Sequence, residues 1–457
     1  MKSDRVWHFL KIPAVIALVL ILAGLYWVGA VEQLVRVNTD KEATDQSAYM
    51  EYARTMYESN YTVVGGRNRM PVYPFLQSLF YRPGMTDEAF FTTGKYVNLV
   101  LSLVLLAGIA LIFRHCLRWL HALTLLLIVA FTVFIFKAGY FQVELLFYFM
   151  NFCLFWVMWR LLQQTSWQLA IVTGIVAGLA HLTKASILPG LGLFLALAAI
   201  KWGGKWGWTT RQSRHPSSPF IPTKALVTYL LPLVLVGVSF LLTVFPYINT
   251  SKQLFGHYFY NVNSTFYIWY DSWEEAKQGT RAHGDRVGWP AMPPEEIPSM
   301  AKYLREHTGQ QMVNRVVEGA QAVLFNVVHS YGYLKYIEVY FALLLLTMLY
   351  FWRRVYQAVC ANPILYLFLA LYFGVYLLLC FWYAPIASGN RIILAQFLPF
   401  LFTISYGLHK LLLSSQLTLS GYSVYTLDLY NFALLLVVLG DIYLVLTERV
   451  GTMYGGL

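Results

Sequence analysis

The sequence predicts an all-α integral membrane protein, a bundle of roughly 10–13 transmembrane helices with two structured extracytoplasmic loops. Three observations carry this expectation. Hydrophobic residues make up 58% of the 457-residue chain. Charged residues make up only 12%, about half the ~25% usual in soluble domains, so packing in water could not hide the apolar surface. The apolar segments also run nearly end to end, leaving room for two long polar stretches and a shorter basic one.

A span needs about twenty apolar residues to cross ~30 Å of hydrocarbon. That criterion places spans near 12–31, 94–113, 121–136, 140–160, 168–183, 187–200, 225–246, 333–352, 363–383, 391–412 and 427–447. The first follows Lys2, Arg5 and Lys11. Its apolar run is longer than a signal-peptide core and no small-x-small cleavage site follows, so it reads as a retained signal-anchor helix. Length alone suggests two to three domains, but near-continuous apolar segments favour one polytopic domain over 1–457.

With the N-terminus inside, the count puts Arg114, Arg118, Arg160, the 201–224 loop, Arg353, Arg354 and Lys410 in the cytoplasm. The 201–224 segment holds Lys201, Lys205, Arg211, Arg214 and Lys224 and no carboxylate, as the positive-inside rule expects. The loops 32–93 and 247–330 then lie outside and hold most of the Asp and Glu. The expected setting is the plasma (inner) membrane. A net charge of +11 and a pI near 9.3 do not imply nucleic acid, because the basic residues sit between spans rather than in an aromatic-interleaved patch. Cys116, Cys153, Cys360 and Cys380 fall in or beside spans, which leaves no disulfide framework for the loops.

Both long loops alternate apolar and polar residues at helical spacing. In the first, Tyr49, Ala53, Met56 and Tyr57 form a stripe while Glu51, Arg54 and Glu58 face away, which predicts a helix lying on the membrane surface. In the second, Pro298 fits a helix N1 position and Gly309 fits its end. A further stripe through Val313, Val316, Val317, Ala320 and Leu324 leads to the next span. Trp269, Trp273 and Trp289 suit an interfacial belt.

Ionisable residues gather at this outer face. Asp40, Glu42 and Asp45 stand just beyond the first span. With Thr44 as N-cap, Asp45 falls in the first helical turn, where the macrodipole favours its ionised form by ~0.3–1 kcal/mol. A start at Thr39, with Glu42 closing a capping box, would instead put Glu42 and Asp45 on one face. Capping alone also accounts for such acids. Arg67 and Arg69 precede Pro71 and Pro74 in a turn at headgroup level, where snorkelling to lipid phosphate is the plainer role for either. Glu144, Lys184 and Arg391, at the ends of three spans, map to the same depth. A charge inside a span costs at least about 2.5–3.5 kcal/mol, so each needs a partner or a task. Together they suit transfer chemistry on a phosphorylated lipid: cations neutralise the leaving phosphate, and a carboxylate takes the proton of an attacking hydroxyl.

The pattern Asp45-Gln46-x-x-Tyr49-x-x-x-Ala53, then Arg69-Met70-Pro71-Val72-Tyr73-Pro74, then Glu144, the run from Gly174 through His181 to Lys184, and Asn390-Arg391-Ile392-Ile393-Leu394 resembles the GT-C glycosyltransferases. It is most similar to the branch of protein O-mannosyltransferases and the bacterial transferases that put aminoarabinose on lipid A. The resemblance is spread over about the first 190 residues and 380–400. It implies a GT-C-like bundle, a polyprenyl-phosphate-linked sugar as donor, and a hydroxyl-bearing lipid, glycan or protein as acceptor. It implies Asp45 as the catalytic acid position, with Asp40 or Glu42 as fallback, and Arg69, Lys184 and Arg391 as donor-phosphate ligands. Glu144 becomes a sugar or metal ligand, with Tyr49, Arg67, His181 and Asn390 in support. Many members carry Asp-Glu where this chain has Asp45-Gln46, so a second carboxylate or a divalent metal stays open, and no other cofactor is implied. Lys184 stands where relatives often have Arg. The implied reaction is inverting, through an oxocarbenium-like transition state.

The main rival is a transporter or flippase of a lipid-linked or anionic solute, for which Gly174, Gly178 and Pro189 would mark irregular helices. An oligosaccharide ligase would favour a basic outer loop, whereas 247–330 mixes Asp271, Glu274, Glu275, Lys277 and Arg281. A non-catalytic scaffold is the third alternative. There is no HExxH, Walker A or GxSxG motif, and His257, His283, His307 and His329 lack ligand spacing and read as ordinary polar residues.

Overall fold

Every apolar segment expected to span is mainly helical where it is described; the segment 140–160 becomes helical only at Glu144. The computed structural model describes residues 3–62, 67–212, 230–329, 334–387, 391–419 and 422–452, with side chains except at 3–16, 204–212, 329, 391–392, 419 and 422. The helices run α1 Ser3–Arg36, α2 Gln46–Glu58, α3 Val72–Ser78, α4 Asp87–Cys116, α5 Trp119–Lys137, α6 Glu144–Gln163, α7 Trp167–Thr183, α8 Leu188–Gln212 and α9 Leu231–Phe255. Short helices then lead to α10 Gly309–His329, α11 Leu334–Tyr350, α12 Trp352–Ala361, α13 Pro363–Tyr383, α14 Arg391–Leu412 and α15 Thr426–Arg449.

Among the described residues eight helices are long and apolar enough to cross a membrane, or nine if the pair α11 and α12, bent by 92°, is one span. Helix α7, at 17 residues, is shorter than a full span. The chain is therefore a multi-pass α-helical membrane protein by length and composition. The structure also contains a hairpin not expected from the sequence, β1 Gln416–Leu419 paired antiparallel with β2 Tyr422–Tyr425. Residues 225–229 of one expected span lie outside the described residues.

Helices α5 and α6 form the centre. About three quarters of their apolar windows are buried (78% and 72%), against 28–39% for the other spans. Around them, α7 and α9 lie almost backbone to backbone. A Cβ on Gly174 would meet the Val236 carbonyl at 2.5 Å, and one on Gly178 would meet Thr243 Cβ at 2.5 Å. The Gly174/Gly178 spacing is thus a small-xxx-small packing face, which corrects the expectation that it marks irregularity in α7. The break comes later, where Lys184 leads into a 3₁₀ turn over Ala185–Ile187.

The polar loops cap one end of the bundle. Helix α4 begins at Asp87 because the Thr86 hydroxyl accepts from the Ala89 N–H at 3.2 Å, and Asp87 and Glu88 complement the first-turn dipole. At the opposite end, the Arg118 guanidinium pairs with Asp428 at 2.6 Å and Lys201 Nζ donates to the Leu162 carbonyl.

Three expectations about the loops are corrected. The stripe of α2 is not turned to lipid: Tyr49, Ala53 and Met56 are buried, and α2 rests on α3 and its neighbours through the Tyr49–Tyr73 and Tyr57–Tyr81 ring contacts at 5.4 Å. Pro298 is not at N1, because Ser299 caps the helix Met300–Glu306; Gly309 opens α10 rather than closing that helix. In α10 the packed face is Arg315, Gly319 and Val323, while Val313, Val317 and Leu324 stay exposed.

Candidate functional site

The chain between α1 and α2 turns beneath a buried amide network. Asn38 and Gln46 exchange side-chain hydrogen bonds at 2.8 and 2.7 Å. Asn38 also donates to the Gly139 carbonyl at 2.7 Å, and Gln46 Oε1 accepts from the Phe141 N–H at 2.8 Å. Lys95 Nζ donates to the Asn38 carbonyl at 2.9 Å, and Asn98 holds the Ala138 carbonyl at 3.0 Å. The turn 138–143 ahead of α6 is thereby fixed to the first loop. Gln142 donates to the Thr44 hydroxyl.

Thr44 takes a left-handed backbone, φ 64°, so it cannot be the N-cap of α2. Asp45 occupies that position and makes no capping hydrogen bond. Its carboxylate instead accepts from Arg69 Nη2 at 2.8 Å. The capping box from Thr39 does not form either: Asp40 Oδ1 accepts from the Glu42 N–H at 2.8 Å within a turn, and Asp40 and Glu42 are exposed on the loop.

From that ion pair a chain of contacts runs inward. The Arg69 guanidinium lies 5.3 Å from the Tyr49 ring, and Tyr49 packs edge-on against Tyr73. Burial holds the Tyr73 phenol well above its ordinary range, its bond with Gln77 works against that rise, and the nearby Glu144 carboxylate adds to it. Glu144 is itself buried. One turn along α6, Phe147 carries Lys184 Nζ 5.2 Å from its ring centre. Asp45, Arg69, Tyr49 and Tyr73 are therefore joined by direct contacts, with Glu144 near Tyr73 and Lys184 against Phe147 one turn further along α6. Asn390 and the Arg391 side chain lie outside the described residues. The backbone of α14 starts one turn before Ala395, whose carbonyl accepts from Asn151 of α6 at 2.8 Å.

His181 is buried between Phe240 and Phe259, 5.9 Å from each ring; its contacts run to α9 and the second loop. Arg67 does not snorkel. It is fully buried, sandwiched between Tyr247 at 4.4 Å and Phe255 at 5.0 Å. None of its side-chain nitrogens meets an acceptor among the described residues. Its backbone carbonyl accepts from the Val262 N–H at 3.2 Å, and the Asn68 carbonyl accepts from Asn263 at 3.4 Å. The second loop is thus seated directly on the turn that carries Arg69.

That loop has its own centre, which sequence reasoning did not find. Arg315 Nη1 meets Asp271 at 2.8 Å and the Tyr303 hydroxyl at 3.0 Å, while Nε holds the Trp382 carbonyl of α13 at 3.0 Å. His307 stacks on Tyr303 at 3.8 Å and bonds Asp271 at 2.7 Å. Asp271 and Trp382 lie 32 to 67 residues from the partners they bond, so no local spacing signals the centre. Asp285, buried under Tyr260 and Tyr267, has its carboxyl pushed up by burial. Among the described residues no three His, Cys, Asp or Glu converge as metal ligands.

Fold and cluster together define a polytopic helical membrane protein with a charged, aromatic-lined site at the loop-capped end of the bundle. Compared with known proteins, the chain matches no family model, no curated sequence and no solved structure.

Proposed function

We propose that this chain is a GT-C-like membrane glycosyltransferase that moves a sugar from a polyprenyl-phosphate donor to a hydroxyl acceptor, with inversion. In this reading the N-terminus is cytoplasmic, the protein sits in the plasma (inner) membrane, and the site faces the extracytoplasmic side. The basic end of the bundle, with Arg114, Arg160, Lys201, Arg353 and Arg354, supports that orientation.

The observation that carries the proposal is the Asp45–Arg69 pair joined to Glu144 and Lys184 through Tyr49, Tyr73 and Phe147. A donor phosphate competes with Asp45 for Arg69, whose planar fork matches a phosphate oxyanion. The released carboxylate then accepts the proton of the acceptor hydroxyl as its oxygen attacks the anomeric carbon. The sugar–phosphate C–O bond breaks and the phosphate departs with the electron pair, its charge met by Arg69, Lys184 and Arg391. In this reading Glu144 serves the sugar or a divalent metal.

Purified protein incubated with radiolabelled polyprenyl-phosphate sugars tests this. Asp45→Asn is expected to abolish transfer, by at least about 10²-fold if the carboxylate is the base, while leaving the fold intact. An unimpaired Asp45→Asn removes the central residue. Transport of the lipid-linked sugar without any transfer would instead favour the flippase reading, which the helix break beside Lys184 suits.

A further inference from the structure

Helix α12 turns 92° away from α11. None of its ten residues is buried, yet it is sharply two-sided. At 100° per residue, Trp352, Val355, Tyr356 and Val359 fall on one face and Arg353, Arg354 and Gln357 on the other. Trp352 and Tyr356 are about 60% exposed (59% and 65%), and Tyr350 beside them is 81% exposed. This is the composition of a helix lying in a membrane interface: aromatic side chains at the boundary, arginines reaching to headgroups.

Its place in the bundle specifies the occupant. The helix links the end of α11 to the start of α13, so it lies across the bundle at the rim where two membrane-crossing segments finish. Arg353 and Arg354 form no ion pair with a carboxylate among the described residues. Their guanidiniums sit 5.6 Å from the Trp352 ring and 4.9 Å from the Phe351 ring. Arg354 Nη1 also bonds the Ser414 hydroxyl at 3.3 Å, beyond the end of α14, and Lys410 of α14 lies on the same rim. From these features we infer that α12 is a binding site for anionic phospholipid headgroups, its aromatic face seated among acyl chains and Arg353 and Arg354 on the lipid phosphate. Lipid capture here needs no sugar transfer, so its outcome is read without any assay of catalysis.

The full-length protein is reconstituted in nanodiscs of phosphatidylcholine, with and without phosphatidylglycerol. A nitroxide is placed on Cys360, the exposed cysteine at the end of α12, with Cys360→Ser as the labelling blank. Accessibility to oxygen against a water-soluble nickel chelate reports depth. Phosphatidylglycerol is expected to draw the label toward the oxygen-rich acyl region. In Arg353→Gln/Arg354→Gln that shift is lost, and retention of phosphatidylglycerol by the purified protein falls about fivefold or more per arginine. Arg353→Lys/Arg354→Lys, which keeps the charge, should retain most of both effects and guards against a merely misfolded double variant. A label that stays nickel-accessible in both lipids, or a phosphatidylglycerol shift that survives Arg353→Gln/Arg354→Gln, overturns the inference.

Discussion

A guanidinium between two aromatic rings gains about 0.5–2 kcal/mol from each, whereas a buried charge without an acceptor loses more than that. Arg67 is held in this balance, with Tyr247 and Phe255 on its faces and no acceptor at its edges among the described residues. Lysine cannot share its charge over two rings as the flat fork does. Arg67→Lys should therefore destabilise the protein by about 1–2 kcal/mol more than Arg67→Met, seen as a lower midpoint in thermal unfolding in detergent; the reverse order would show that charge alone, not shape, holds the position. Among single residues, Glu144 and Lys184 were legible because an ionisable group at the end of an apolar run is conspicuous, and Asp45 and Arg69 because they stand in short charged stretches of the first loop. Asn38, Lys95 and Asn98 were not. Their bonds reach 40 to 101 residues along the chain, and an amide or a lysine in or beside an apolar run carries no periodic signal of its partner. The same network explains Gln46: its amide both donates to Asn38 and accepts from Phe141, a double role a carboxylate could not fill.

At the scale of elements, periodicity announced that α10 has an apolar face but not which face packs. The hydrophobic stripe is the exposed one, because Gly319 lets the backbone of α10 touch that of α13 at Phe381 and Arg315 makes the polar ties beside it. A Cβ at Gly319 would run into the Phe381 carbonyl, so Gly319→Leu should cost about 1–3 kcal/mol and separate the two helices, measurable as faster hydrogen exchange across α10 and α13. The first loop carries a comparable clamp. Lys41, at 2.9 Å, and Arg54, at 2.5 Å, both grip Asp87 at the start of α4, and together they hold its carboxyl below the ordinary 3.8, Lys41 contributing first. A depressed folded value means the clamp supports the fold above about pH 4 and is lost as pH falls through that lower value. Protection of α2 amides, measured against the slower intrinsic exchange at low pH, should fall on acidification from pH 5 to 3 in the wild type, and in Asp87→Asn it should be low at both. The hairpin of β1 and β2 escaped notice because four-residue strands between helices give too short an alternation to register.

For the whole molecule, the helical order was legible nearly throughout, since twenty-residue apolar runs have few other uses. What could not be read was which spans are central: α5 and α6, at mean hydropathy 2.4 and 1.6, do not exceed the 1.7–2.5 of the other spans and are set apart by what surrounds them. The proposed orientation rests on the basic residues at one end of the bundle and is open to a labelling test. Cys360 should react with a membrane-impermeant maleimide only in inverted vesicles, and His283→Cys, in the second loop, only in intact cells. Labelling of Cys360 from the outside would invert the arrangement and move the Asp45 cluster to the cytosol.

Asp45 and Arg69 hang from different abutments. The carboxylate is moored through Gln46 and Asn38 to the turn before α6. The guanidinium is moored through the carbonyls of Arg67 and Asn68 to Val262 and Asn263. The 2.8 Å bridge between them therefore links the first loop's anchorage to the second's. A tenant that draws residues 262–263 outward slackens the bridge and bares the carboxylate, so arrival at the far loop would be felt at Asp45 without any direct touch.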